Sequence, residues 1–357
     1  MNLNRALFPL LVFLGGCSFG PLSPIVKIAY DDGYSSVSMI FAQYGGGWFC
    51  LLILVVIFTL GRMLIGKKSP DNSHGNAFDN SHGNAIDNKP DNTHGNRRDS
   101  AKNSAEDNAV AVEEKRLKSR LRGILLLFAC GLSIALCSSC NIFALNTISV
   151  SLAVLLLFQF IWMGVIIQCI VKRALPSKDT AVSVLMLVIG TVLASGVLIA
   201  GTKFALIGVC FGLGSAIFFA VYVFMIGHVA VSIHPVYRSF VVMSMALLSI
   251  LAIFGMSLAG NASQIDIGLA EYALVIGLFG CAIPMFFFAI GTPKIPTGAA
   301  TILSSSELPA TIICAVIIIH ESVTAFQWVG VALVFLGIAY PYLAAAFREN
   351  REKSVKV

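Results

Sequence analysis

Two stretches decide the fold: residues 148–178, ISVSLAVLLLFQFIWMGVIIQCIVKRALPSK, and residues 295–325, IPTGAATILSSSELPATIICAVIIIHESVTA. Displaced by 147 positions, they pair Ile148 with Ile295, Ala153 with Ala300, Leu156 with Leu303 and Ser177 with Thr324, and further on Gly190 meets Gly337. Each holds an apolar run of the length, about 20 residues, that carries a helix across a bilayer. Ser177 and Thr324 are each placed to N-cap the next helix. The first run ends in Lys172-Arg173, whereas the matching positions are Ile319-His320, followed by Glu321. Basic residues mark the cytoplasmic side of a membrane helix. Exchanged charge at matched sites therefore requires the two copies to cross the membrane in opposite senses.

Working outward, about ten apolar runs fit membrane crossings: 6–29, 36–60, 121–142, 148–171, 179–200, 205–229, 236–258, 269–291, 297–319 and 323–346. A second shift, near 200, pairs Phe19-Gly20 with Phe219-Ala220 and Val37 with Val236, the long loop after the second run accounting for the different offset. Five helices is an odd number, so the second copy enters inverted. The expected fold is an all-α polytopic membrane protein with about ten transmembrane helices in two inverted five-helix repeats. Residues 1–63 and 121–200 make the first repeat, 201–346 the second, and 347–357 a tail, with a low-complexity loop at 64–120.

Composition agrees. The 357 residues are 57% hydrophobic and 12% charged, with a mean hydropathy of +0.86. Soluble domains carry about 25% charged residues, so soluble enzymes and nucleic-acid-binding domains are excluded as starting points. Most of the 24 Lys and Arg fall in every second connection, opposite Asp31, Asp32, Asp266, Glu271 and Glu321. Both termini are therefore expected in the cytoplasm, in a plasma (inner) membrane. Arg238, after the sixth run, is counted among these loop charges. The nine cysteines, including Cys137 and Cys140 in a C-x-x-C, all lie in apolar runs and read as small packing residues. Leu14-Gly15-Gly16-Cys17 looks like a lipoprotein cleavage site, but the apolar run continues past it to Tyr30.

The loop at 64–120 repeats an octamer, DNSHGNAF (71–78), DNSHGNAI (79–86) and DNTHGNRR (91–98). Such a composition buries too little to offset the entropy of ordering, so a disordered cytoplasmic loop is expected. Its His74, His82 and His94 permit a weak metal tether, and the plainer reading is repeat expansion in a tolerant loop. From Asn108 to Arg122, charges alternate with Val110, Val112, Leu117 and Leu121, which predicts a short amphipathic helix.

The chain resembles the ten-helix members of the drug/metabolite transporter superfamily, the EamA-type permeases, over both halves but not the inserted octamers. The likeness is carried by AIGTPKIPTGAATILSSSELPATIICAVIIIHE (289–321), with Glu307-Leu308-Pro309 at a Glu-x-Pro position and Glu321 at a Gly-Glu position. In the first half SLAVLLLFQFIWMG (151–164) resembles the matching segment, but it has Phe160 and Trp162 for Glu-x-Pro and Ala174 for the acid. The resemblance implies a transporter with a central cavity that opens alternately to each side.

A carboxylate in a span should face the bundle interior or water. Glu307, after Ser304, Ser305 and Ser306, is thus placed to bind a cationic or amino group or to carry a coupling proton, or else to pack helices. Pro309 frees a carbonyl near Ser305. Gln43, Asn141 and Gln159 are candidate substrate contacts or interhelical ties, and Trp162 and Tyr222 candidate aromatic lining. Pro21 and Pro24 kink the first helix, as suits a gate.

No catalytic motif, Walker loop, selectivity filter, metal site or cofactor site is recognisable, and the expectation is not an enzyme. The expected activity is secondary active transport, the export of a small metabolite (an amino acid or related compound) or drug by alternating access. An importer or exchanger of nucleotide-like or phosphorylated metabolites, a lipid-linked flippase or a structural subunit are the alternatives. Expected partners are a small-molecule substrate, the lipid bilayer and a coupling proton, with no nucleic acid; oligomeric state is open. Deletion of residues 70–98 should leave transport of a cargo at wild-type rate in vesicles, whereas a metal-dependent loss would show a working metal tether.

Overall fold

The computed structural model describes residues 3–66, 94–197, 205–260 and 264–355. They divide into two compact units, Met1–Val56 with Leu126–Val357, and Ile57–Leu125. Every regular element among the described residues is helical. In the hydrocarbon only helices and closed barrels satisfy every backbone polar group internally. Nine of the described helical stretches are long and apolar enough to cross a membrane.

The first crossing is α1 (Leu3–Ser18) followed by α2 (Leu22–Asp31), broken before Pro21 and Pro24. Then come α3 (Ser36–Gly66) and α4 (His94–Leu145). The fourth crossing is again broken, into α5 (Val150–Leu157) and α6 (Phe160–Lys172). Next are α7 (Lys178–Ala194), α8 (Leu206–His228) and α9 (Pro235–Gly260). The eighth crossing runs α10 (Ile267–Gly277), a π turn (Leu278–Ala282), α11 (Ile283–Gly291) and a 3₁₀ turn (Thr292–Lys294). The ninth is α12 (Thr297–Ser304) and α13 (Glu307–Ile319), and α14 (Ala325–Val355) is the last.

Two expectations are revised. The fifth run is a 17-residue helix, α7, about 26 Å at 1.5 Å per residue and shorter than a typical core of about 30 Å. The amphipathic helix expected from Asn108 begins earlier, at His94, so much of the stretch read as disordered loop is helical. Ala, Glu, Lys and Arg dominate 101–122, and these are strong helix formers. The first two octamers, with His74 and His82, lie outside the described residues.

The repeat is clearer in the backbone than in the side chains. α5 and α12 begin and end at positions 147 apart, as do α6 and α13. Both crossings terminate on a left-handed residue, Arg173 (φ 50°) and His320 (φ 51°), the geometry that closes a helix C-terminus. The expected caps form too, Ser177 Oγ accepting from the Thr180 amide at 3.2 Å and Thr324 Oγ1 from that of Gln327 at 3.4 Å.

Equivalent helices α7 and α14 pack on each other through small residues. A Cβ on Gly190 would lie 2.9 Å from Val334 Cγ2, and one on Gly330 only 2.3 Å from the Ala194 nitrogen. Ser183 Oγ donates to the Gly337 carbonyl at 2.6 Å. Contacts run down one helix as they run up the other, so the pair is antiparallel, as an inverted repeat requires. Small residues replace the missing hydrophobic drive between membrane helices by letting backbones approach.

The same device joins α3 to the eighth crossing. A Cβ on Gly46 would sit 1.8 Å from the Ala273 carbonyl oxygen, and one on Gly277 2.3 Å from the Gly47 nitrogen, while Gly45 faces open space. Gly46→Ala must push two backbones apart and should cost about 1–3 kcal/mol. Thermal unfolding in detergent should show a melting temperature several degrees lower for Gly46→Ala and essentially unchanged for Gly45→Ala.

Candidate functional site

The breaks in the fourth and ninth crossings define the site. In the ninth, Pro309 has no amide hydrogen for the Ser305 carbonyl, which accepts from the Leu308 amide at 3.2 Å instead. The three serines are buried and their hydroxyls are taken: Ser304 donates to Ala300 O (2.8 Å) and Ser305 to Ile302 O (2.6 Å) in the same crossing, and Ser306 to Phe13 O of α1 (2.8 Å). Ser304 and Ser305 thus hold the break together and offer no free hydroxyl hydrogen. In the fourth crossing Trp162 stands where Pro309 does, and a side chain makes the break. The Gln159 amide bonds to Leu156 O, and Gln159 Nε2 takes the Leu155 carbonyl at 2.9 Å. Gln159 Oε1 accepts from Trp162 Nε1 at 2.8 Å, so these two candidates are paired.

Glu307 opens α13 directly after the break. The residue is partly exposed, and its carboxylate makes no hydrogen bond or ion pair among the described residues. Cys137 lies within electrostatic reach of it. The first crossing packs against this point: a Cβ on Gly16 would lie 2.3 Å from Ser306 Oγ, and one on Gly20 2.9 Å from the Ala310 backbone. The small-sided first helix, with Pro21 between its halves and Pro24 buried in α2, therefore lies against the break. Asn141 is partly exposed in α4. Gln43 is turned to the π turn, donating to Gly280 O at 3.4 Å.

The broken crossings meet at one end only. At the end bearing Lys172, Arg173 and Lys294, α6 and α12 are packed closely. A Cβ on Gly164 would lie 2.2 Å from Thr301 Cγ2, and the Gly298 amide donates to Gln168 Oε1 at 2.7 Å. The matching pair at the acidic end, α5 and α13, is not packed to any comparable extent. Gln159 and Glu307 stand where α5 gives way to α6 and α12 to α13.

Arg238 overturns its reading as a loop charge. It lies in the first turn of α9, is 1% exposed, and donates to Val229 O (3.4 Å) and Ala289 O. Its only sequence signal was its position three residues past Pro235, just inside an apolar run. Tyr222 is also 1% exposed, with no partner for its hydroxyl among the described residues.

Residues 206–342 match the EamA-like transporter family. That EamA-like stretch is the second five-helix repeat, from α8 into α14, and it includes Glu307, Pro309 and Arg238. The match supports the likeness to the drug/metabolite transporter superfamily and indicates a membrane transporter of the drug/metabolite type. A solved crystal structure 13% identical to this chain superposes with a TM-score of 0.62, covering 95% of this chain and 98% of the other. At that identity the likeness shows the fold. No curated protein matches the chain.

Loops from the two repeats interlock at the acidic end. Tyr34 donates to Asp266 Oδ1 at 2.7 Å and Tyr272 to Asp32, the two rings edge-on at 5.7 Å. Gln264 Oε1 accepts from the Ser38 hydroxyl and the Ser35 amide. The Leu269 amide and then the Tyr34 hydroxyl hold the Asp266 carboxyl below its ordinary range. A lowered folded value adds stability above the unfolded pKa, about 3.9 for Asp, and loses it as pH falls through the folded value. Asp266→Asn should therefore melt earlier than wild type at pH 7, with the difference closing in acid below the ordinary carboxylate range.

Proposed function

We propose that this chain is a secondary active transporter that exports a small metabolite carrying an amino group, an amino acid or related compound, by alternating access. One observation carries the reading: among the described residues Glu307 stands unpartnered, partly exposed, at the helix break between α12 and α13. A carboxylate in a membrane interior marks a substrate or ion pathway by default. Here it is the acid to which an ammonium group or a coupling proton would bind. Gln159, Trp162, Asn141 and Gln43 supply further polar contacts along the same interior, and Pro21, Pro24 and Pro309 the weak points at which helices bend.

The basic end is taken as cytoplasmic, in a plasma membrane with both termini inside. On this reading the close packing of α6 on α12 is the cytoplasmic gate, and α5 and α13 form the outer one. Transport would part the first pair and join the second.

Cells producing wild type or Glu307→Gln, matched for membrane abundance, should differ in their extracellular metabolites. One amino-group-bearing class should accumulate outside with wild type only, and the variant should lose about tenfold or more of that efflux, equivalent to about 1.4 kcal/mol. Equal accumulation with both would leave export standing and return Glu307 to packing. No difference between wild type and an empty vector would overturn export.

A further inference from the structure

The interior holds a second charge that the site as described does not use. Arg238 is buried beside α8 and α11 and makes no ion pair among the described residues. Two arms of its guanidinium donate to the Val229 and Ala289 carbonyls. These lie at the C-terminal ends of α8 and α11, where carbonyls lack helical partners and carry partial negative charge. That explains how the cation is held, but it leaves one donor over. Arg238 Nε and Tyr222 Oη are the two buried side-chain polar atoms without a protein partner among the described residues.

The two belong to one place. Arg238 and Tyr222 are within electrostatic reach of each other, with Cys130 alongside Arg238. Tyr222 is on α8 and Val229 caps that helix, so the phenol and the guanidinium share the C-terminal part of one helix. Buried polar groups in native proteins are almost always satisfied, and a donor pair beside an unneutralised cation suits an anion.

We propose that Arg238 and Tyr222 form a carboxylate-binding site for the cargo, entered from the basic end when α6 and α12 part. Two donors remain, the Nε–H and the phenol hydroxyl, matching the two oxygens of a carboxylate. A phosphate, with three oxygens and up to two charges, would call for more. This rests on the transport reading above and narrows it: with an ammonium at Glu307, the cargo class is the zwitterionic α-amino acid. Loading from the basic end meets Arg238 first, and the acid at the helix break receives the amine deeper in.

The test uses the full chain in proteoliposomes, in counterflow with aliphatic and aromatic amino acids and their carboxamides, which keep the amine and lose the carboxylate. A site built to bind a polar group rejects the analogue lacking it, so wild type should show a KM at least about tenfold higher for amides than for acids. Tyr222→Phe removes one donor and Arg238→Lys keeps the charge without the Nε–H; each should bring that ratio to within about threefold. A purely structural role would lower abundance or rate without moving the ratio. Amides carried as well as acids by wild type, or an unchanged ratio in Tyr222→Phe, would overturn the site while leaving transport intact. Should nothing in the panel move, the transport reading fails, and melting in sodium acetate decides the site separately. Acetate should raise the melting temperature of wild type and not of Tyr222→Phe at equal ionic strength, and equal shifts would overturn it.

Discussion

A backbone carbonyl in hydrocarbon must find a donor, and the architecture turns on how two helices meet that demand where they break. In the ninth crossing proline withholds an amide, and the preceding amide plus two serine hydroxyls complete the turn. In the fourth a glutamine side chain takes the carbonyl that its own backbone abandons. Different chemistry yields the same interruption at the same place in each repeat. Each break ends one short helix and begins another, and in the ninth crossing it sets a carboxylate on the first turn of the new helix.

Around these breaks, the closest helix contacts are made at glycines. Gly164 against Thr301, Gly16 against Ser306 and Gly190 against Val334 leave no room for a Cβ. Such seams hold helices by shape and dispersion rather than by apolar burial, since lipid is as apolar as a helix face. Other ties are polar and local, such as the paired tyrosines and aspartates at the acidic end. The bundle is thus stiff where backbones touch and less closely packed between α5 and α13.

Much of this was legible in the sequence, for reasons of period and charge. The 147-residue offset, the capping residues Ser177 and Thr324 and the exchange of Lys172-Arg173 for Ile319-His320 survive because each is needed locally by every copy of the fold. The break at Gln159 was hidden, because no proline marks it and a glutamine gives no sign of which carbonyl it will take. The local bonding of Ser304 and Ser305 was hidden likewise, since a hydroxyl in a span can face a neighbour or its own helix. Arg238 was misread because a positive charge beside a loop looks the same whether it points to water or folds under two helix ends. The start of α4 at His94 shows helix propensity outweighing a repeat that reads as turns.

The two breaks differ in one respect that bears on energetics. Phe160, packed on Phe219 with ring centroids 4.6 Å apart, occupies the position that Glu307 holds in the other repeat. A machine with one titratable group at its paired hinges can carry no more than one proton there per cycle. Each pH unit across the membrane is worth 1.36 kcal/mol per proton, so one proton exchanged for one neutral cargo molecule sustains at most a tenfold gradient for each such unit. On the proposed proton-carrying role of Glu307, a phenylalanine at the matched position thus limits the paired breaks to one proton.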